Sequence, residues 1–221
     1  MSVTDVTGDL PRIINNEDDV YSGHLRYYFH LLFCQMRYGN EYHNFGHICH
    51  VLWFCYECLL ETTTEEIPPR QARNLLIAAI FHDFGHSGQC GNDKKEIGRA
   101  IRKLRKYIQD HDRLSLAQIE SLIKSTQFPY EDDESNLSIE AKILRDADQS
   151  QCFSPIWIQR VIFGLAKEKG LSPKEMLLEQ EQFLRDVRFR TRWAKKKFPP
   201  RVIEAKLDEV RALCQLLGMP R

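Results

Sequence analysis

The chain has 221 residues, 43% of them apolar and 28% charged, enough for one domain with a sizeable buried core. Lys plus Arg and Asp plus Glu both number 31, so no net field draws the protein onto nucleic acid or a membrane surface. Seven cysteines, scattered through apolar helical patterns, fit reduced thiols rather than a disulfide framework, and the apolar runs are too short to span a bilayer.

Residues 1–19 carry neither a basic start nor an apolar stretch, so they are read as an N-terminal extension without a signal peptide, ahead of a domain over residues 20–221 in a cytoplasmic protein. From 20 to 36, apolar side chains recur at three- and four-residue intervals, which predicts a helix. A second helix is predicted over 47–60. Thr62 to Glu66 break the rhythm, and Pro68-Pro69 open a third helix over 70–84, the most apolar and the one expected at the centre. Gly85 stops it, and 88–91 reads as a loop. Further helices are predicted over 93–109, 115–126, 138–147, 155–169, 173–190 and 199–217. Ser115, Ser138 and Ser172 are the expected N-caps, with Gly170 and Gly218 as C-terminal stops. The acidic stretch 127–136 is a loop. No segment alternates with period two, so the fold class is all-α: a compact single-domain helical bundle.

The chemistry concentrates in three segments. His82-Asp83 lies in Ala-Ala-Ile-Phe-His-Asp-Phe-Gly-His (78–86), at the end of the central helix, where both side chains can leave the core and meet an ion. Upstream is Tyr42-His43-Asn44-Phe45-Gly46-His47; with a helix starting by about Asn44, His47 projects inward while His43 sits on the preceding turn. Downstream is Leu144-Arg145-Asp146-Ala147-Asp148. The order His, His-Asp, Asp supplies candidate metal ligands from distant segments, and His86 can reach a second ion, a bridging water or a substrate oxygen. Imidazole with carboxylate suits zinc, iron or manganese and admits magnesium; a mixed site with free positions holds water and lowers its pKa. Five of the eight histidines (43, 47, 50, 82, 86) fall in two short apolar segments, a density that isolated core histidines do not explain; His50 is the exception, expected only to pack on its helix.

Tyr42-His43-Asn44-x-x-His47 and His82-Asp83-x-x-His86-x-Gly88 resemble the HD-domain superfamily of metal-dependent phosphohydrolases, and closely resemble the signatures of class I cyclic nucleotide phosphodiesterases. The resemblance spans about residues 36–150 and fades in the C-terminal third. It implies that His47, His82, Asp83 and Asp148 bind the first of one or two divalent ions (Mn, Mg, Zn or Fe), with Asp83 as the bridge between two. It implies that His43 is the general acid and that His86 lies in the outer shell of the site or contacts the bridging hydroxide. Asp148 is preferred over Asp146, because Ala-Asp at the end of an apolar helix matches the superfamily pattern. Gln180 and Phe183 faintly resemble the glutamine and phenylalanine that hold the purine in phosphodiesterases; an ordinary helix with Phe183 in the core and Gln180 facing solvent is the favoured reading.

The expected function is hydrolysis of a cyclic nucleotide by metal-activated water, with a small-molecule nucleotide as partner, no membrane or nucleic acid, and a homodimer as a candidate assembly. The alternatives are an HD-type nucleotidase or pyrophosphohydrolase, an HD-type diiron oxygenase, and a non-catalytic nucleotide-binding module. Only His111 lies between 87 and 147, which argues against the oxygenase, and it is expected to be a turn residue. The basic run from Arg185 to Arg201 reads as a solvated helix end. Cys55-x-x-Cys58 has no second thiol pair, the loop 88–92 lacks the Gly-Lys-Ser/Thr of a P-loop, and no Gly-x-Ser-x-Gly is present.

Overall fold

A computed structural model describes residues 24–36, 39–62, 66–89, 91–130 and 136–219, and among them forms ten α-helices and no strand. The N-terminal extension 1–19 and the expected helix start at residue 20 lie outside the described residues, as do residues 131–135 of the acidic loop. In order the helices are α1 (His24–Gln35), α2 (Phe45–Leu60), α3 (Pro69–Phe81), α4 (Asp93–Tyr107), α5 (Leu116–Ser125), α6 (Ile139–Gln149), α7 (Ala166–Lys169), α8 (Pro173–Asp186), α9 (Arg192–Lys197) and α10 (Pro200–Leu216). Short 3₁₀ turns run over Asp110–Ser115 and Ser150–Phe153, and a π-helix over Ile158–Leu165. No helix of the described residues is long and apolar enough to cross a membrane.

Helix α3 is central for the reason its sequence suggests. Every residue from Leu75 to Phe81 is fully buried, and α1, α2, α4, α5 and α6 all pack around it. Its two arginines are matched. Arg73 donates from Nε and a terminal nitrogen to the two oxygens of Asp112 (2.8 and 2.7 Å), Arg70 adds a bond at 2.8 Å, and the Tyr28 hydroxyl of α1 donates to the same carboxylate at 2.8 Å. His111 joins this cluster beside Asp112 at 3.1 Å, as a turn residue.

A second apolar cluster forms from Tyr42, Cys152, Trp157, Val161, Ile162 and Ala166 against Met176, Leu177 and Leu184 of α8 and Val210 of α10. The loop bearing Tyr42-His43 therefore lies where the two cores meet.

Several predicted elements change in detail. The helix expected over 155–169 is a π-helix followed by the short α7. Its wider turn brings Gly164 against the 41–43 loop, where a Cβ would lie 2.8 Å from the Glu41 carbonyl oxygen, so only glycine permits the approach. Gly164→Ala should lower stability by about 1–3 kcal/mol in urea denaturation, the usual cost of overpacking. Helix α6 runs on to Gln149, so Asp148 lies in its last turn rather than beyond it. Helix α8 ends at Asp186, not 190, because the buried Asp146 carboxylate captures the Arg190 and Thr191 backbone N–H groups (2.9 and 2.8 Å) and the Thr191 hydroxyl (2.8 Å). Ser138 and Ser172 cap α6 and α8, Ser172 in a full capping box, whereas Ser115 ends a 3₁₀ turn and its side chain makes no cap bond. Gly170 and Gly218 stop their helices as expected. The basic run is not merely solvated: Lys196 pairs with Glu61, the C-cap of α2, Lys197 pairs with Glu57 of α2, and Lys197 also lies over the Trp193 ring. Cys55 and Cys58 are buried thiols whose pKa values burial pushes up, which leaves them protonated and inert.

Candidate active site

Asn44 sets the register of α2. Its side-chain oxygen accepts the N–H groups of Gly46 (2.9 Å) and His47 (3.3 Å), an N-cap that starts the helix and turns His47 inward. The end of α3 supplies the facing wall. His82 donates from Nδ1 to the Ala79 carbonyl at 2.8 Å, which directs its Nε2 toward His47 and Asp83.

Four side chains, His47, His82, Asp83 and Asp148, converge with their ligand atoms all within 4.8 Å of one another. His47 Nε2 lies 3.3 Å from Asp83 Oδ2, 3.2 Å from Asp148 Oδ1 and 3.4 Å from His82 Nε2. His82 Nε2 lies 3.2 Å from Asp83 and 3.8 Å from Asp148. Ligands held at ~2.1 Å around one ion sit about 3.0–3.4 Å apart, so the donor set fits a divalent metal in spacing and in chemistry. The imidazoles are buried, while the Asp83 and Asp148 side chains are 15% and 25% exposed, so the group opens on one side, as a catalytic site does and a structural one does not. Burial disfavours a charged His47, yet Asp148 and Asp83 hold its pKa at about 10; burial opposes ionisation of Asp83 too, and His82, His43 and His47 pull it well below the carboxylate range. Two carboxylates beside buried imidazoles make a field suited to a cation. Asp146, the other candidate, is occupied with residues 190 and 191.

A second group lies alongside. His43, His86 and Glu168 bring their ligand atoms within 4.8 Å. Glu168 of α7 accepts the Tyr42 N–H at 2.6 Å and the His43 N–H at 3.1 Å, and its other oxygen is 2.5 Å from His43 Nδ1. Burial opposes the Glu168 charge, but His43 and the two backbone donors lower its pKa, so it is an ionised carboxylate that fixes the proton on His43 Nδ1 and turns Nε2 outward. His86 stacks on His43 with ring centroids 3.7 Å apart, and its Nδ1 accepts the Gly88 N–H at 3.1 Å. Burial and the nearby His43 lower the His86 pKa, so it is neutral with its N–H on Nε2. The His43 and His47 ring centroids are 5.9 Å apart, which joins the two groups into one site.

Asn40 ties the segments together: its Nδ2 donates to the carbonyls of His43 and His86, both at 2.9 Å. Gly88, with φ of +74°, lets the chain pass; a Cβ there would lie 2.5 Å from Asn40 Oδ1. His50 bonds to Ser150 at 2.8 Å, a packing role as expected. Gln180 is not solvent-facing: it is 2% exposed on α8, with its Nε2 buried and without a hydrogen-bond partner among the described residues, while Phe183 packs between the two apolar clusters.

Residues 42–97 match the family model of 3′5′-cyclic nucleotide phosphodiesterase. The matched stretch holds Tyr42, His43, His47, His82, Asp83 and His86, and it stops before Asp148 and Glu168, which only the fold brings to them. No curated protein matches the chain.

Proposed function

We propose that this chain is an HD-type, metal-dependent phosphodiesterase that opens a cyclic nucleotide. The observation that carries the proposal is the junction of an open His47–His82–Asp83–Asp148 group with a carboxylate-held histidine, His43–Glu168, at ring distance 5.9 Å. A divalent ion held by those four residues would supply Lewis acidity and an activated water. Asp83, whose Oδ2 faces both imidazoles, would also help to hold a second ion where two bind.

His43 acts on the leaving side. A ribose alkoxide is a poor leaving group, so the P–O bond breaks readily only as that oxygen gains a proton, which His43 Nε2 is oriented to give. Glu168 stabilises the imidazolium before the transfer and holds the ring in place throughout. His86, neutral, presents its Nε2–H to the site as a hydrogen-bond donor for an oxygen of the water or the phosphoryl group. Asn40 and the Asn44 cap keep the two histidine loops in register.

Glu168→Gln should lower kcat by about 10–100-fold, the scale of a lost partner to an essential histidine, with KM little changed. A mutant with a raised KM and an unchanged kcat would place Glu168 outside the chemistry.

The substrate is tested by chromatography of products after manganese-loaded protein is incubated with 3′,5′- and 2′,3′-cyclic nucleotides, nucleoside monophosphates and dinucleotides. Conversion of a cyclic ester to its monophosphate is expected. Release of inorganic phosphate from monophosphates alone would make the chain a nucleotidase instead.

A further inference from the structure

Helix α4 has two unlike faces. Ile97, Ala100, Ile101 and Leu104 are buried on one side, together with Glu96, whose carboxylate holds the Ser87 N–H and hydroxyl, both at 2.9 Å. On the opposite side Lys95, Arg99, Arg102 and Lys106 follow one another at four-, three- and four-residue steps, which aligns them along the helix. At 1.5 Å per residue this stripe is about 16 Å long. Lys94 and Arg105 flank it, both exposed, and Gly98 on the same side carries no side chain to hold a surface away.

Few of these charges are spent inside the protein. Arg99 pairs with Glu96 at 3.2 Å, and Arg105 pairs with Glu120 of α5 at 2.6 Å. Lys94, Lys95, Arg102, Lys103 and Lys106 have no carboxylate partner among the described residues. Like charges crowded on one rigid helix repel each other, and a surface of opposite sign relieves that repulsion. The neutral net charge, which speaks against a membrane partner, is an average over the whole chain and hides this face.

Two features favour a lipid surface over a polynucleotide. No ring stands free along the stripe for bases to stack on: the Tyr107 hydroxyl is tied to Gln35 at 2.7 Å, and Lys103 and Lys106 lie against the Tyr107 ring at 5.8 and 5.0 Å. Leu114, in the turn that follows the helix, is 99% exposed. An apolar side chain held in water gains from entering a headgroup layer and gains nothing from a phosphate backbone.

We propose that the outer face of α4 docks the protein on an anionic phospholipid surface, which it touches without crossing. The attraction is electrostatic, so it weakens as salt rises, and each cation near the surface strengthens binding about fivefold. It is independent of the reaction at the His/Asp group.

The test is co-sedimentation of the full chain with phosphatidylcholine vesicles, with and without about a third of phosphatidylserine. Wild type should bind only the vesicles that contain phosphatidylserine, and raised salt should release it. Replacing Lys95, Arg102 and Lys106 together by Gln should weaken binding about 100-fold, three cations at about fivefold each. The charge-preserving exchange Lys95→Arg, Arg102→Lys, Lys106→Arg should bind as wild type does. So should a control with Lys174, Arg192 and Arg201 replaced by Gln, which loses the same charge from α8, α9 and α10. Melting temperatures provide the folding control. Equal binding to both kinds of vesicle, binding to neither, or an equal loss in the control would overturn the proposal. Capture of a single-stranded oligonucleotide through Lys95, Arg102 and Lys106, with no vesicle binding, would overturn it in favour of a nucleic-acid track.

Discussion

Asp83→Ala should abolish hydrolysis, lowering it by about 10³-fold or more, and should lose divalent-ion binding in the same step, because several kcal/mol of charge stabilisation depend on the ion. Asp83 Oδ2 is 3.3 Å from His47 and 3.2 Å from His82, so no other carboxylate of the group faces both imidazoles as closely. Removing it leaves Asp148 as the one carboxylate of the four-residue group. Asp83→Asn keeps the shape without the charge and should fail in the same way; metal content and turnover measured on the same samples check both variants. Circular dichroism should show an unchanged helical fold, since the Asp83 side chain sits at the open edge of the site and not in either apolar cluster.

Asp112→Ala should cost about 3–5 kcal/mol of folding stability, the scale for stripping one partner from a buried ion pair. The Asp112 carboxylate is fully buried and accepts from Arg73, Arg70 and Tyr28, which join the 3₁₀ turn to α3 and α1. Without it, the buried Arg73 guanidinium keeps its charge and loses its bidentate acceptor. Burial raises the Asp112 pKa, but Arg73 and Tyr28 outweigh it and the net shift is downward. A carboxylate whose folded pKa is depressed contributes stability that is present above its unfolded pKa, about 3.9, and is lost as pH falls through the lower folded value. Urea midpoints should therefore show wild type falling toward the mutant in acid, with the gap widest near neutral pH. A gap that did not change with pH would assign the loss to packing alone.

The fold and part of the site were legible for distinct physical reasons. The run from Leu75 to Phe81 is apolar on every face, and only a central helix can use such a run. His47, His82 and Asp83 stand at the ends of apolar stretches, where a polar side chain has a reason to be only if it meets a cap, a partner or an ion. Asp146 and Asp148 looked alike in sequence because they differ only in direction: one helix-face step sends Asp146 to the backbone of residues 190 and 191 and Asp148 to the histidines.

Glu168 was not legible. In Leu-Ala-Lys-Glu-Lys-Gly it reads as an ordinary solvated helix end, and its partner His43 lies 125 positions away. Its placement depends on the π-helix over Ile158–Leu165, whose wider turn the apolar spacing did not reveal, and on the close approach at Gly164. Asn40 was missed for a related reason: its two acceptors are backbone carbonyls, which leave no mark in side-chain patterns. The basic run misled in the opposite direction, since lysines paired across helices look the same in sequence as lysines in water.

The most direct measurement is turnover of 3′,5′-cyclic AMP by protein stripped with a chelator and then titrated with manganese. The stripped protein should be silent, and nucleoside monophosphate should form as the metal returns, saturating at one or two ions per chain in wild type and failing to form in Asp83→Ala. Hydrolysis by the stripped protein, or equal hydrolysis by Asp83→Ala, would contradict a metal-dependent site at His47, His82, Asp83 and Asp148.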